Sequence, residues 1–244
     1  MSENRKFSVL MSVYVKENPV FLEEAVESII HQTLKPSEVV IVEDGPLTPE
    51  LYQVLEKLEA QSSIPIKRCP LEQNRGLGLA LQYGVLQCQY DVIARMDTDD
   101  IAVEDRFEQQ FELMEKENLD LLGGHIAEFI DRPDEIVSYR RVPIKHEDIV
   151  VYQRMRSAFN HMTVMFKKEM VLKAGNYEDG LYMEDDLLWL NMISAGARTG
   201  NVDQILCKVR VGAGMFERRG GLRYLKLYRQ ARKRMQARGQ ISYG

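Results

Sequence analysis

The first apolar run, Phe7 to Val15, is rich in β-branched and aromatic residues and is bounded by polar ones. A run that short reads as a buried strand. Asn18-Pro19 follows it. The Asn side chain can accept from a free N–H of a first helical turn, and Pro at the first position gives up an N–H that has no partner there. The spacing then predicts a helix to about Thr33, with Phe21, Leu22, Ala25, Ile29 and Ile30 inward. Glu38 to Val42 is a second strand ending in Glu43-Asp44-Gly45, and Thr48-Pro49 repeats the cap signal for a helix to about Ala60. Ile64 to Cys69 is a third strand, and Asn74-Arg75-Gly76-Leu77-Gly78 turns into a helix ending near Gln89. Tyr90 to Met96 is a fourth strand, closed by Asp97-Thr98-Asp99-Asp100.

The second half is less regular. The pattern predicts a helix from Val103 to Glu117, strand from Leu119 to Ile130 in one or two parts around Gly123-Gly124, and a strand from Ile136 to Arg141 that pairs with a later one. Helix is expected from His146 to Arg156, strand over Thr163 to Phe166, and helices over Glu169 to Ala174 and Glu184 to Ala195, each closed by a glycine. Val202 to Val211 is a strand, followed by a loop rich in Gly and Arg and a basic helix to about Ala237.

Alternating strands and helices imply an α/β fold: a Rossmann-like, mainly parallel sheet flanked by helices. Ligands of such sheets bind beyond the carboxyl ends of the strands. Those ends carry Tyr14, Glu43-Asp44, Arg75 and the aspartate cluster, so one topological rule brings four chemically loaded segments to one edge.

Charge adds a partner to this picture. The net charge of −5 conceals an uneven spread: Arg218 to Gly244 holds nine Lys/Arg and no Asp/Glu, leaving 23 basic against 37 acidic residues elsewhere. A basic end on an acidic body is either a solvated helix face or a surface for anionic lipid headgroups. Nucleic acid is disfavoured, because the acidic body repels the same phosphates. Cys69, Cys88 and Cys207 are odd in number and far apart, so neither a disulfide framework nor a zinc site is suggested, in keeping with a reducing compartment. No apolar run is long enough to span a bilayer.

Three carboxylates within four residues, Asp97, Asp99 and Asp100, repel one another unless a positive charge sits among them. A hard divalent cation, Mg²⁺ or Mn²⁺, fits such oxygen donors. The other reading is that Asp100 caps the next helix and its neighbours are solvated. Arg75 and Arg95 suit bidentate phosphate contacts, and Arg95 equally suits neutralising the aspartates. Glu184-Asp185-Asp186 opens a helix, where acids favour the macrodipole; a carboxylate there could equally take a proton from an attacking hydroxyl.

Taken in order, Phe7 to Tyr14, Val42-Glu43-Asp44-Gly45-Pro46, Asn74 to Ala80, Ala94 to Asp100, Arg106-Phe107, Phe159 to Phe166 and Glu184 to Leu190 resemble glycosyltransferase family 2, with its GT-A fold and in particular its bacterial amylovoran, exopolysaccharide and O-antigen branch. The resemblance implies an inverting transfer of one sugar from a nucleotide-sugar, a UDP-sugar above all, to a saccharide or lipid-linked saccharide acceptor. Ser12, Tyr14, Glu43 and Asp44 would hold uracil and ribose; Arg75, Arg95 and Asp97 would lie at the nucleotide-sugar. Asp99, with Asp97, would hold the metal and Asp185 would be the base. Trp189 would lie at the donor sugar, and His161 and Glu184 on the acceptor side. Residues 1–217 would form one domain, with a nucleotide-binding half (1–100) and an acceptor and base half (101–217), followed by the basic helix 218–244. The setting implied is cytoplasmic, peripheral to the inner face of the plasma membrane. The late loop Arg210 to Gly214 lacks the histidine that completes the metal shell in many relatives, and the processive Gln-x-x-Arg-Trp signature is absent. A sugar-nucleotide nucleotidyltransferase and a non-catalytic nucleotide-sugar binder stand as alternatives.

Overall fold

The computed structural model describes residues 5–179, 183–212 and 221–241. The strands are β1 (Phe7–Val13), β2 (Glu38–Glu43), β3 (Ile66–Pro70), β4 (Val92–Arg95), β5 (Ile101–Ala102), β6 (Leu121–Phe129), β7 (Ile136–Arg140), β8 (Met165–Lys167) and β9 (Thr199–Arg210). The helices are α1 (Pro19–Ile30), α2 (Pro49–Gln61), α3 (Leu77–Gln87), α4 (Arg106–Glu117), α5 (His146–Gln153), α6 (Lys168–Lys173), α7 (Glu184–Ser194) and α8 (Gly221–Ala237).

One sheet runs through both halves in the order β3-β2-β1-β4-β8-β6-β9-β5, with β7 on β6. The pairs β1–β2, β2–β3 and β1–β4 are parallel, as the alternating first half requires. The second half is mixed: β8 lies antiparallel to β4 and β6, β9 is parallel to β6, and β5 is antiparallel to β9. β7 pairs with the preceding β6, not with a later strand. β6 is continuous, and Gly123-Gly124 is accommodated as a register shift against β9 just after Gly124. α4 begins at Arg106 rather than Val103, because the chain first makes the two-residue strand β5.

Alternate residues of the parallel strands face opposite layers. Phe7, Val9, Met11, Val39 and Ile41 pack with α1, α2 and α4. Leu10, Val40 and Val42 pack with α3, α6 and α7. Both expected caps form: Asn18 Oδ1 accepts from Val20 N at 2.9 Å and Thr48 Oγ1 from Leu51 N at 3.4 Å. The basic helix is not a free tail, since Ala231 and Met235 pack with Met183, Leu187 and Leu190 of the α7 region. The junction at 217–218 and the Gly/Arg-rich loop, residues 213–220, lie outside the described residues, as does Tyr182.

Gly78, in the first turn of α3, packs tightly against the chain around α7 in the second half. A Cβ there would collide with the Glu178 carbonyl oxygen and lie 3.0 Å from Glu184 Cβ. The obstacle is backbone, so Gly78→Ala is expected to destabilise the fold by about 1–3 kcal/mol. Urea unfolding checks this: the midpoint falls while the slope is unchanged.

Candidate active site

β4 ends at Arg95, and the next turn holds the acidic cluster. One carboxylate oxygen each from Asp97, Asp99 and Asp100 lie within 4.8 Å of one another. Asp100 is buried and accepts from the Arg210 backbone N–H at 2.9 Å, so it ties the turn to β9 rather than capping α4. Asp97 is partly exposed and bonds to the Arg95 guanidinium. Asp99 is also partly exposed. Burial, then Asp97 and Glu17, push the Asp99 carboxyl up to about 7; burial and the other two aspartates raise Asp100 as well. The turn therefore favours a further positive charge, and its hard oxygen donors suit Mg²⁺ or Mn²⁺.

Arg95 is the fixed countercharge. Its side chain is buried, and Nε and Nη1 have no hydrogen-bond partner. Burial opposes its charge, but Asp97 outweighs that and raises the pKa. Arg106, also buried, donates Nη2 to the Arg95 carbonyl at 2.7 Å and Nε to Gln110 Oε1 at 3.0 Å, bracing the strand end from behind. From the far edge, Arg210 donates Nε to the Asp99 carbonyl at 3.4 Å and Nη2 to Glu24 Oε2 at 2.7 Å. Its guanidinium lies 3.7 Å from the Phe21 ring centroid and 4.7 Å from that of Phe129. Thr98 Oγ1 donates to Glu17 Oε2 at 2.6 Å. In the sequence Arg106 stands only as part of a motif, and Arg210 and Glu17 are not marked as site residues, because their contacts with the turn are made between separate segments of the chain.

The ends of β1 and β2 stand beside this turn through the β2–β1–β4 pairing. The Ser12 carbonyl accepts from Thr98 Oγ1 at 3.4 Å, and Tyr14 follows β1, half-buried. Glu43 and Asp44 are not equivalent. The Glu43 carboxylate accepts Arg68 Nε at 2.6 Å. The Asp44 carboxylate accepts the backbone N–H groups of Arg75 at 2.7 Å and Gly76 at 3.0 Å, and so shapes the loop into α3. Gly45 (φ +86°) allows that loop to close, since a Cβ would sit 2.6 Å from Asn74 N. The Arg75 residue itself is exposed.

From the other half, α7 brings Glu184, Asp185 and Asp186 in its first turn. Asp186 accepts Gln153 Nε2 at 2.7 Å. Burial, then Asp186 and Glu184, push Asp185 up to about 8, and burial raises Glu184 and Asp186 as well. The Arg95 charge acts to lower Asp99, Asp100, Glu184 and Asp185 alike, so both acidic groups lie within its field. His161 Nε2 bonds to Tyr177 Oη at 2.9 Å, and burial, then Arg95, hold His161 neutral. Trp189 is fully buried against Phe159, His161 and Tyr177, as part of the wall behind the α7 acids. The fold thus gathers Arg95, the three aspartates, Glu184, Asp185 and His161. Ser12, Tyr14, Asp44 and Arg75 flank them along the strand ends.

A family model described as glycosyl transferase family 2 matches residues 8–173. The chain is 46% identical over 222 residues to an uncharacterised glycosyltransferase of Haemophilus influenzae, covering 91% of this chain and 82% of that one. It is 42% identical to the amylovoran biosynthesis glycosyltransferase AmsE of Erwinia amylovora, over 90% of this chain and 82% of that one. It is 38% identical to the Escherichia coli UDP-Gal:alpha-D-GlcNAc-diphosphoundecaprenol beta-1,3-galactosyltransferase, over 90% and 79%. Among solved structures, Staphylococcus aureus TarS 1–349 in complex with UDP-GlcNAc superposes with a TM-score of 0.69 at 18% identity, over 93% of this chain and 65% of that one. A Pyrobaculum calidifontis mannosyltransferase in complex with GDP-Man and Mn²⁺ gives 0.63 at 16%, over 85% and 57%. The chain therefore spans less than two thirds of those two solved chains, and at these identities the likeness is one of fold.

The raised Asp185 pKa has a consequence for stability. A carboxyl that holds its proton in the fold up to about 8, but only to 3.8 when free, loses stabilising protonation as pH rises between those values. The fold should lose stability over that window and level off above it. Asp185→Asn should shrink the fall, read as the difference in Tm between pH 5 and pH 8. An equal difference in both proteins would show that Asp185 carries no such shift.

Proposed function

The chain belongs to glycosyl transferase family 2, and from that membership we propose that it is an inverting, metal-dependent transferase that moves one sugar from a UDP-sugar to a hydroxyl of a lipid-linked saccharide. The observation that carries this reading is the pairing of two acidic groups around Arg95: a strand-end cluster suited to a diphosphate's metal, and a raised carboxylate on α7 suited to a proton. In this reading Ser12, Tyr14 and Asp44 receive the uracil and ribose, while Glu43, paired with Arg68, supports them. Arg75 and Arg95 face the nucleotide-sugar. Asp99 and Asp97 would hold Mg²⁺ or Mn²⁺, with Asp100 retained as the anchor to β9. Such an ion, when bound, offsets negative charge on the diphosphate leaving group.

Asp185 takes the proton of the acceptor hydroxyl as its oxygen bonds to the anomeric carbon. The bond from that carbon to the diphosphate oxygen breaks in the same step, so configuration inverts. His161 and Glu184 border the acceptor, and His161, held neutral, adds no charge there. A base whose pKa lies at about 8 is matched to neutral or slightly alkaline conditions, and the rate should rise with pH up to about that value. The UDP donor and lipid-linked acceptor are supported by the E. coli relative, named for transfer from UDP-Gal to a GlcNAc-diphosphoundecaprenol.

Peripheral contact with the inner leaflet is part of the same proposal. No helix among the described residues is long and apolar enough to cross a membrane. α8 presents Leu225, Lys226, Arg229, Gln230 and Lys233 along one exposed face. Arg232 and Arg234 are engaged on the Arg154 and Asp179 carbonyls, so among the described side chains the outward-facing charge of α8 is Lys226, Arg229 and Lys233.

The base assignment is tested by Asp185→Asn, which should lower transfer by at least about a hundredfold while UDP affinity stays within about twofold. Normal transfer by that variant rules the assignment out. For the membrane, Lys226→Glu, Arg229→Glu and Lys233→Glu together should abolish co-sedimentation with phosphatidylglycerol vesicles at low salt. Unchanged sedimentation returns α8 to a solvated face.

A further inference from the structure

The chain that leads into the base helix is held from two sides. On one side is α3: Gln82 Nε2 donates to the Tyr177 carbonyl at 2.6 Å, Asn176 Nδ2 donates to the Gln82 carbonyl at 3.0 Å, and Gly78 lies against the Glu178 carbonyl. On the other side is the C-terminal helix. Arg238, one residue past α8, donates Nη1 to Glu178 Oε1 at 2.5 Å and Nη2 to Oε2 at 3.0 Å, a two-pronged pair. Arg234 Nη1 reaches the Asp179 carbonyl at 2.7 Å. The same end of α8 also grips α7 directly: Asn191 Oδ1 accepts from Gln240 Nε2 at 2.8 Å and from Arg238 Nη1 at 3.4 Å. Ala231 and Met235 pack on Leu187 and Leu190, which follow Asp185 by less than two turns.

We propose that Arg238 is a positioning residue for the transfer step: its fork on Glu178, with its reach to Asn191, fixes the register of α7 against α3 and thereby sets where the Asp185 carboxylate stands. The proposal rests on the reading of Asp185 as the base. Glu178 sits between α8 on one side and Gly78 of α3 on the other, and Gly78 also borders Glu184. A shift of Glu178 is therefore transmitted to the first turn of α7. The pair itself is no stability anchor, since its side chains are 38% and 29% exposed and such pairs contribute little to global stability. What an arginine fork supplies at that exposure is geometry, because it fixes two oxygens at once where a lysine fixes one. The basic helix thus acquires a second role: one side offers Lys226, Arg229 and Lys233 outward, and the other holds the catalytic helix in place.

The lone tryptophan of the chain, Trp189, lies on α7 one turn from Asp185 and is buried, so it reports the seating of that helix without any substrate. Arg238→Gln, Arg238→Lys and the swap Arg238→Glu with Glu178→Arg would be compared with the natural chain. Three readouts serve: acrylamide quenching of Trp189, Tm, and turnover of UDP-galactose with a GlcNAc-diphospholipid acceptor. Arg238→Gln should raise the quenching constant about twofold and lower kcat about tenfold, since misplacement of a reacting group by an ångström costs up to about a hundredfold. Tm should move by no more than about 2 °C and the donor KM by no more than about twofold. The swap should restore both quenching and kcat in part, and Arg238→Lys should fall between. Unchanged Trp189 quenching and unchanged kcat in Arg238→Gln overturn the proposal, as does a loss of kcat matched by an equal loss of Tm that the swap does not repair. Asp185→Asn measured alongside separates the two readings. A fully active Asp185→Asn overturns the base, whereas an inactive one beside an unperturbed Arg238→Gln overturns only the positioning role.

Discussion

Everything at the strand-end edge depends on one buried positive charge. The fold carries Asp97, Asp99 and Asp100 to the end of β4 and Glu184 and Asp185 to the start of α7, and carboxylates crowded out of water repel one another. Arg95, wholly buried, acts on both sets, with Asp97 as its ion-pair partner and two guanidinium nitrogens, Nε and Nη1, left without one. A buried arginine is costly unless its surroundings are fixed. Arg106, Gln110 and the Thr163 carbonyl form a chain of hydrogen bonds behind it that holds the Arg95 backbone in place. The mixed second half of the sheet serves the same end: β8 pairs with β4 and β9 ties back to Asp100, so the turn is held from both edges.

The parts legible in the sequence are those set by local rules. Asn18-Pro19 and Thr48-Pro49 marked helix starts that the fold uses, and the β-branched runs of β1 and β2 marked buried parallel strands. The rule that ligands gather beyond the strands' carboxyl ends places Tyr14, Asp44, Arg75 and the aspartates at one edge from the element order alone. β5 escaped notice because two residues carry no periodicity, and its presence moved the start of α4 to Arg106. The pattern pairs β7 with a later strand, whereas its partner is the preceding β6, since pairing order in the irregular half is decided by long-range packing. Asp100 was legible as an acid but not as an anchor, because Arg210 is more than a hundred residues away in the chain. Likewise Glu43 and Asp44 looked interchangeable until Arg68 and the Asn74–Gly76 loop gave each a distinct partner.

The basic end of the chain takes on contacts that composition alone does not reveal. Nine positive charges without an acid suggested a surface for anions. In the fold, Arg232, Arg234 and Arg238 are engaged on carbonyls and on Glu178, while Lys226, Arg229 and Lys233 are exposed. Charge that reads as one patch in sequence is divided by helical geometry between contacts to α7 with its lead-in and an outward face.

The central claim is that the acidic turn after β4 receives a nucleotide diphosphate together with a divalent ion. Calorimetric titration of the natural chain with UDP, in Mn²⁺ and again in chelator, tests it most directly. The account predicts that UDP binds at least about tenfold more tightly with Mn²⁺ and that Asp99→Ala removes this gain. Equal UDP affinity with and without the metal would contradict it.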